Sequence, residues 1–136
     1  MNSTPDEIDR WIQDAAKETG IRMAVLSQAE AQAILKLVTD RYVHGQSSWW
    51  WDELKLPYTQ FDRSSVKLSA ALPSLVVDVY LFPDYPNHEG PIYKLRAADI
   101  ELLLGECPLF AYSVVSADGT WFLTESDHDV IYLCRW

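Results

Sequence analysis

The polar side chains best suited to chemistry lie together near the C-terminus. Glu125, Asp127, His128 and Asp129 share one short stretch between two apolar segments. Carboxylate oxygens and imidazole nitrogens can ligate metals or act as general acids and bases. The other two histidines of the chain have no ligand spacing of their own. Since tight turns also require polar residues, the sequence favours a solvated turn or a partner-binding surface over a metal site.

Signatures of other chemistries do not occur in the sequence. It contains no G-x-S-x-G nucleophile motif and no glycine-rich phosphate-binding motif. The two cysteines, Cys107 and Cys134, do not have metal-binding spacing. We predict that both are small core residues rather than a disulfide. The expectation is therefore a protein that is not an enzyme and needs no cofactor.

Three consecutive tryptophans form a second candidate surface. Trp49, Trp50 and Trp51 are followed directly by Asp52 and Glu53. Side chains fan by about 100° per residue in a helix and alternate in a strand, so the three indoles cannot all face the core. We expect at least one to be partly exposed, as tryptophan often is at the centre of a protein interface. In the alternative interpretation, two fill the core and the third covers a loop.

The charge balance restricts the class of partner. The chain has 20 acidic and 11 basic residues, which gives a formal net charge of −9. Nucleic acids and anionic membranes attract cationic surfaces, and the sequence has no cluster of Lys and Arg. No apolar run approaches the roughly 20 residues of a membrane span, and the polar N-terminus is unlike a secretory signal. We therefore expect a cytoplasmic protein whose acidity serves either a basic protein partner or solubility alone.

Two helices are predicted in the N-terminal third. They cover residues 5–18 and 28–44, and each begins with a Ser/Thr-x-x-Glu capping box and ends near a glycine. Their apolar residues recur at helical spacing, which indicates one buried face on each. A short extended link over residues 21–26 joins them and is a candidate edge strand. We expect the two helices to cover the same face of a sheet.

Downstream of an irregular stretch, the pattern turns to β. Strands are predicted over residues 66–71, 75–82 and 92–95, and a helix over residues 97–104. The strand at 75–82 is almost continuously apolar, which indicates a central strand buried on both faces. Asp78 interrupts that run, and we expect its carboxylate to face solvent or to have a partner.

Residues 109–136 predict a β-meander of three strands. Asp118-Gly119 is the strongest hairpin signal in the chain, and the polar stretch around His128 forms the second turn. A meander needs a second layer on its apolar face. We therefore predict a single α+β domain over residues 1–136, with an antiparallel sheet of about five to six strands and the two N-terminal helices and one later helix packed on it.

The C-terminal part also contains a recognisable pattern: Trp121-x-Leu123-x-Glu125-x-x-His128-Asp129, preceded by Tyr93-x-Leu95, Asp99-Ile100-x-x-Leu103-Leu104 and Cys107-x-x-Phe110-x-Tyr112-x-Val114-Val115, with Trp51-x-x-Leu54 upstream. This pattern resembles a small family of bacterial proteins of unknown function. Members of that family usually have two adjacent histidines in the turn, where this chain has Asp127 before His128. The resemblance implies no reaction.

A looser likeness is to the immunity proteins of bacterial toxin systems, which the chain resembles in size, acidity and lack of a catalytic signature. The first hypothesis is accordingly a non-catalytic immunity protein that occludes a basic toxin domain, such as a nuclease. Its predicted partner-binding residues are aromatic and acidic: Trp49, Trp50, Asp52, Glu53, Tyr58, Glu125, Asp127, His128 and Asp129.

Two alternatives remain open at this point. One is a small-molecule-binding or enzymatic α+β domain, with a pocket between helices and sheet lined by Trp121, Tyr112 and His128. The other is homo-oligomerisation through an exposed edge strand, for which the last strand, residues 130–136, is the candidate.

Overall fold

One antiparallel sheet of seven strands organises the chain in the computed structural model. The structure describes residues 4–44, 50–55, 57–85, 89–108, 110–126 and 128–136. In chain order the elements are α1 (Pro5–Thr19), β1 (Met23–Val25), α2 (Gln28–Arg41), the 3₁₀ helix η1 (Trp50–Asp52), β2 (Tyr58–Asp62), α3 (Leu68–Ala71), β3 (Asp78–Pro83), β4 (Tyr93–Arg96), the 3₁₀ helix η2 (Ala97–Asp99), α4 (Ile100–Gly105), β5 (Tyr112–Ser116), β6 (Trp121–Glu125) and β7 (Val130–Arg135). The fold class is α+β, as predicted, but the sheet has seven strands rather than the predicted five to six.

The predicted C-terminal meander is present and forms the centre of the sheet. The strand order is β1-β4-β3-β5-β6-β7-β2. The turn between β5 and β6 closes where Asp-Gly predicts it: the backbone N–H of Gly119 donates to the carbonyl of Ser116 at 2.9 Å. Gly119 has a φ of +74°, a backbone conformation that glycine adopts without strain.

Apolar side chains alternate between the two faces of the sheet, and each face carries its own core. On β6, Trp121 and Leu123 belong to one core and Phe122 to the other. The first core includes residues of α1, α3 and α4, whereas the second includes α2 and the buried Trp50 of η1. The sheet therefore lies between two helical layers.

The two N-terminal helices lie on opposite faces, so the expectation that they share one face is wrong. The link between them forms β1, an edge strand that pairs with β4. Because the chain passes the edge of the sheet as β1, α2 begins beside the face opposite α1. Both predicted capping boxes are formed, by Thr4 with Glu7 and by Ser27 with Glu30.

Specific side-chain bonds hold each of these helices to the sheet. The Tyr93 hydroxyl of β4 donates to Asp9 Oδ1 of α1 at 2.6 Å. On the other face, the hydroxyl of Tyr42, which caps α2, donates to the carbonyl of Gly119. Helix α2 ends at Arg41, three residues before the predicted end, because Val43 has left the helix to form a β-bridge with Leu54.

Two predictions between residues 66 and 82 need correction. Residues 68–71 form the short helix α3 instead of a strand, since Leu68 and Ala71, one helical turn apart, both enter the first core. The predicted strand at 75–82 begins at Asp78, and Val76 before it is 78% exposed. Asp78 is both half-exposed and partnered: Arg96 Nε lies 3.4 Å from its Oδ1.

The later helix is shorter than predicted. Residues 97–99 form η2, and α4 follows from Ile100 to Gly105. Ile100 and Leu103, three residues apart on α4, are buried in the first core. Both cysteines are free thiols, as predicted, with Cys134 buried and Cys107 half-buried.

Strand β2 was not predicted, and it changes which strand lies at the edge. It pairs with β7 from Tyr58 opposite Cys134 to Asp62 opposite Val130. Strand β7 therefore lies inside the sheet, between β6 and β2. The hypothesis of self-association through β7 is wrong, because its second edge is already occupied. Four of the five β2 residues are exposed, which explains the weak apolar signal of this strand.

Among the residues that the structure describes, no helix is long and apolar enough to cross a membrane.

Candidate functional site

The candidate site lies at the end of the sheet where β2, β3 and β6 finish and β5 and β7 begin. The strand register fixes this arrangement, since Pro83 pairs with Tyr112 and Glu125 pairs with Ile131. We call this region the acidic end and define it by seven residues: Trp51, Arg63, Asp84, Tyr112, Glu125, His128 and Asp129. Six different elements or connections contribute to it.

Glu125 is the centre of the hydrogen bonding at the acidic end. Its Oε1 accepts a bond from the Tyr112 hydroxyl at 2.6 Å and lies 3.3 Å from Arg63 Nε. Burial, together with the neighbouring Glu125 charge, raises the pKa of Tyr112 above its ordinary value. The phenol therefore stays protonated and acts as a donor, and charge-assisted bonds of this kind fix the carboxylate in place.

The turn from β6 to β7 has a defined backbone. Ser126 Oγ accepts the backbone N–H of His128 at 3.1 Å, and the N–H of Arg63 donates to the carbonyl of Asp129 at 2.8 Å. Asp129 has a φ of +60°, which aspartate tolerates better than most residues. These bonds join the turn to the end of β2 and leave the side chains of His128 and Asp129 exposed.

Aromatic residues of η1 flank this turn. The ring of Trp51 lies edge-on to His128, with 5.8 Å between centroids. Its neighbour Trp50 is only 5% exposed and packs against Phe82 and Phe122 in the second core. The expected division of the tryptophans is therefore seen for this pair: Trp50 fills the core and Trp51 is half-buried at the surface.

A cavity of about 10 Å³ lies between η1 and the sheet at the acidic end, bordered by Trp50, Trp51, Asp84, Tyr112 and Glu125 among others. Burial there raises the pKa of Asp84 to about 6. The cavity holds about one water molecule and has no room for a substrate. A carboxylate with a raised pKa can serve as an acid or base, but the confined space argues against that use here.

A larger cavity of about 110 Å³ lies on the other face of the sheet. Its lining combines Arg63, Glu101, Tyr112 and Glu125 with apolar side chains from α3, α4 and the segment before β5. Both cavities share Tyr112 and Glu125. The acidic end is thus polar at its centre and has a small recess on each face.

The structure brings together part of the predicted partner-binding set. Glu125, His128 and Asp129 meet at the acidic end, and η1 places the exposed Asp52 beside Trp51 there. Glu53 follows η1, and its carbonyl accepts the backbone N–H of His44. Predicted residues Trp49 and Asp127 lie outside the described residues.

Two other predicted binding residues do not belong to this surface. Trp50 is buried, as described above, so it cannot anchor a partner. Tyr58 is 49% exposed but begins β2, four residues and about 13 Å from Asp62 at the acidic end. Its ring packs edge-on against Tyr132 at 5.0 Å.

The pocket proposed in the small-molecule alternative is not formed by its three predicted residues. Trp121 begins β6 and lies in the first core, whereas His128 follows the opposite end of that strand. Only Tyr112 of the three borders the two cavities described above. Within the described chain, no three metal-ligating side chains come together.

Sequence reasoning missed two residues of the acidic end. Arg63 falls in a stretch that has no regular pattern, and Asp84 falls in a turn-rich loop. A lone arginine or aspartate in such a segment is ordinary, so no local signal marked either one. Their roles come from contacts between segments distant in the chain.

The opposite end of the sheet has a different character. An open groove of about 640 Å³ runs past β1, the end of β4 and α4 there, and its lining includes Arg22, Lys94 and Arg96. Asp78, on the same groove, lies within 4.0 Å of both Lys94 and Arg96 side chains. The cations in the groove are therefore partly neutralised.

Comparison of the sequence with models of known protein families and with curated, characterised proteins gives no match.

Proposed function

We propose that this protein binds a basic protein partner through the acidic end of its sheet, and that it acts in the cytoplasm as an immunity protein that covers the substrate-binding surface of a bacterial toxin. The observation that carries the proposal is the combination of unpaired acids and an aromatic ring on one surface. Asp52 and Asp129 are exposed, and within the described chain neither forms an ion pair. Trp51 and His128 lie beside them.

The size of the recesses supports a protein partner over a small substrate. Pockets for small molecules usually measure about 300–1,000 Å³. The two cavities at the acidic end have volumes of about 10 and 110 Å³. They can receive single groups from a partner but cannot enclose a drug-sized ligand.

Electrostatics supplies the mechanism of recognition. A formal charge of −9 raises the rate at which a basic protein approaches, and complementary charges on the acidic end orient it. Half-buried Trp51 supplies apolar area at the centre of such a contact. The partner's cationic residues, which a nuclease uses to hold phosphates, are then no longer accessible to its substrate.

The test compares the protein with two charge-reversed variants as bait for basic proteins in a lysate of the source organism. Asp52→Lys changes the acidic end, whereas Glu18→Lys makes the same change in net charge on exposed α1, near the opposite end of the sheet. We expect Asp52→Lys to slow association with the captured protein about tenfold at low salt and Glu18→Lys to have little effect. Equal effects of the two variants, or binding that does not weaken as salt rises, would contradict the proposal.

A further inference from the structure

We propose that the cavity of about 110 Å³ beside Glu125 is a specific binding site for an arginine side chain of the protein partner. The inference rests on the proposed function, which it deepens by naming the group recognised. The cavity opens beside the acidic end and shares Glu125 and Tyr112 with it. Three features of its lining define its chemistry: carboxylate oxygens that can accept further hydrogen bonds, aromatic side chains and apolar side chains.

The two carboxylates at the cavity retain acceptor capacity. Glu125 Oε1 accepts two hydrogen bonds, one from the Tyr112 hydroxyl and one from Arg63 Nε. Oε2 accepts no hydrogen bond from any residue that the structure describes. Glu101 accepts one long bond, from the backbone N–H of Ser69 at 3.4 Å. It forms no ion pair with any described residue. Both carboxylates line the cavity and can accept further hydrogen bonds from a second cation.

The internal cation Arg63 does not satisfy these acids fully. Its Nε contacts Glu125 through one bond, while one of its terminal nitrogens donates to the carbonyl of Val66 at 3.3 Å. The contact is thus not the bidentate fork that arginine forms with a carboxylate in its strongest pairs. With Glu101 included, the cavity holds two carboxylates and one guanidinium, and it favours one further positive charge.

The remaining walls suit arginine more than lysine. Phe110 and Tyr112 line the cavity, and aromatic faces stack well on the planar guanidinium group. Leu68 and Leu104 provide apolar surface for the aliphatic part of the side chain. The volume of about 110 Å³ has room for several waters, which one guanidinium group can displace.

The test uses N-acetyl-arginine amide as the probe and follows backbone amide resonances of the full chain. We expect saturable shifts at Ser69, Gly105 and Phe110, with a dissociation constant of about 1–10 mM. N-acetyl-citrulline amide has nearly the same shape without the charge and should give no saturable shift. Absence of shifts up to about 50 mM arginine probe, or equal shifts with citrulline, would overturn the inference.

Two matched variants refine the result. Glu101→Gln keeps an oxygen for the Ser69 N–H and should weaken the arginine probe about tenfold. Glu106→Gln removes the same charge from the exposed end of α4 and should leave probe binding unchanged. Equal weakening by both variants would show a general charge effect and overturn the specific site.

The bait experiment separates this inference from the proposed function. If Glu101→Gln captures the basic partner with unchanged affinity, the arginine site is wrong while the partner-binding function stands. If Asp52→Lys leaves capture unchanged, the proposed function fails even when the free arginine probe binds.

Discussion

At the residue scale, the acidic end contains one carboxyl group that is costly to ionise. Asp84 is half-buried against the tryptophans of η1, and burial raises its pKa to about 6 from an ordinary value of 3.8. The folded state therefore binds a proton more tightly at this site than the unfolded chain does. As pH rises from about 4 to about 7, ionisation of Asp84 removes stability, and above about pH 7 the loss is complete.

Replacement of Asp84 by Asn should reverse this loss. We expect Asp84→Asn to stabilise the protein relative to wild type by about 1 kcal/mol at pH 7.5, after screening by solvent, and by less at pH 5. Urea denaturation at the two pH values measures the difference. Asp118→Asn is the control and should destabilise the protein at neutral pH. Hydrogen bonds from Ser116 and Thr120 lower the pKa of Asp118, so its charged form contributes stability there. A benefit of Asp84→Asn that is independent of pH would contradict this account.

At the scale of elements, adjacent residues of one strand support different helical layers. Phe122 and Leu123 are both fully buried and neighbours on β6. Phe122 stacks on Tyr42 with 5.3 Å between ring centroids and meets Trp50 at 5.8 Å, in the second core. Leu123 belongs to the first core, with α1 and α4. The period-two alternation of the strand makes this division unavoidable.

Truncation of each residue should therefore weaken a different layer. We expect Phe122→Ala and Leu123→Ala each to cost about 3 kcal/mol of unfolding free energy. In native-state hydrogen exchange, Phe122→Ala should speed exchange chiefly in the second half of α2, and Leu123→Ala chiefly in α1 and α4. If both variants speed exchange in the same helices to the same degree, the two-core description is wrong.

At the scale of the whole molecule, acidic charge is mostly unbalanced. The chain has nine more acidic than basic residues, and the ion pairs in the part that the structure describes include those of Asp40, Asp78 and Glu125. Repulsion among the other carboxylates opposes the compact state, because folding brings them closer together. The same excess charge is what attracts a basic partner, so binding and stability have opposite electrostatic requirements.

Salt should consequently stabilise the free protein while it weakens the proposed complex. Between about 0.02 and 0.5 M NaCl we expect the unfolding free energy to rise by about 0.5–1 kcal/mol, since the Debye length becomes shorter than the spacing of surface charges. Urea denaturation at each salt concentration measures the change. The double variant Asp14→Asn/Glu18→Gln, which removes two exposed charges of α1, should show a smaller rise. Stability that falls with salt would show that ion pairs outweigh repulsion.

Local features of this fold could be predicted from the sequence alone. The capping boxes at Thr4 and Ser27, the hairpin at Asp118-Gly119 and the three-strand meander all depend on residues a few positions apart. For the same reason, the turn that carries His128 and Asp129 was identified as a polar candidate surface. Short-range hydrogen bonds and side-chain periodicity decide such features, and both can be read from neighbouring residues.

The tertiary structure decided what those local features become. Arg63 and Glu125 meet across 62 positions of chain, and β2 joins β7 through backbone bonds that its exposed side chains do not signal. The strand β1 carries α2 to the opposite face, which no periodicity within either helix indicates. Strand order and the grouping of side chains at the end of the sheet depend on pairing between distant segments. The free energy gained by burying both faces of the sheet comes from contacts along the whole chain, so no single segment determines it.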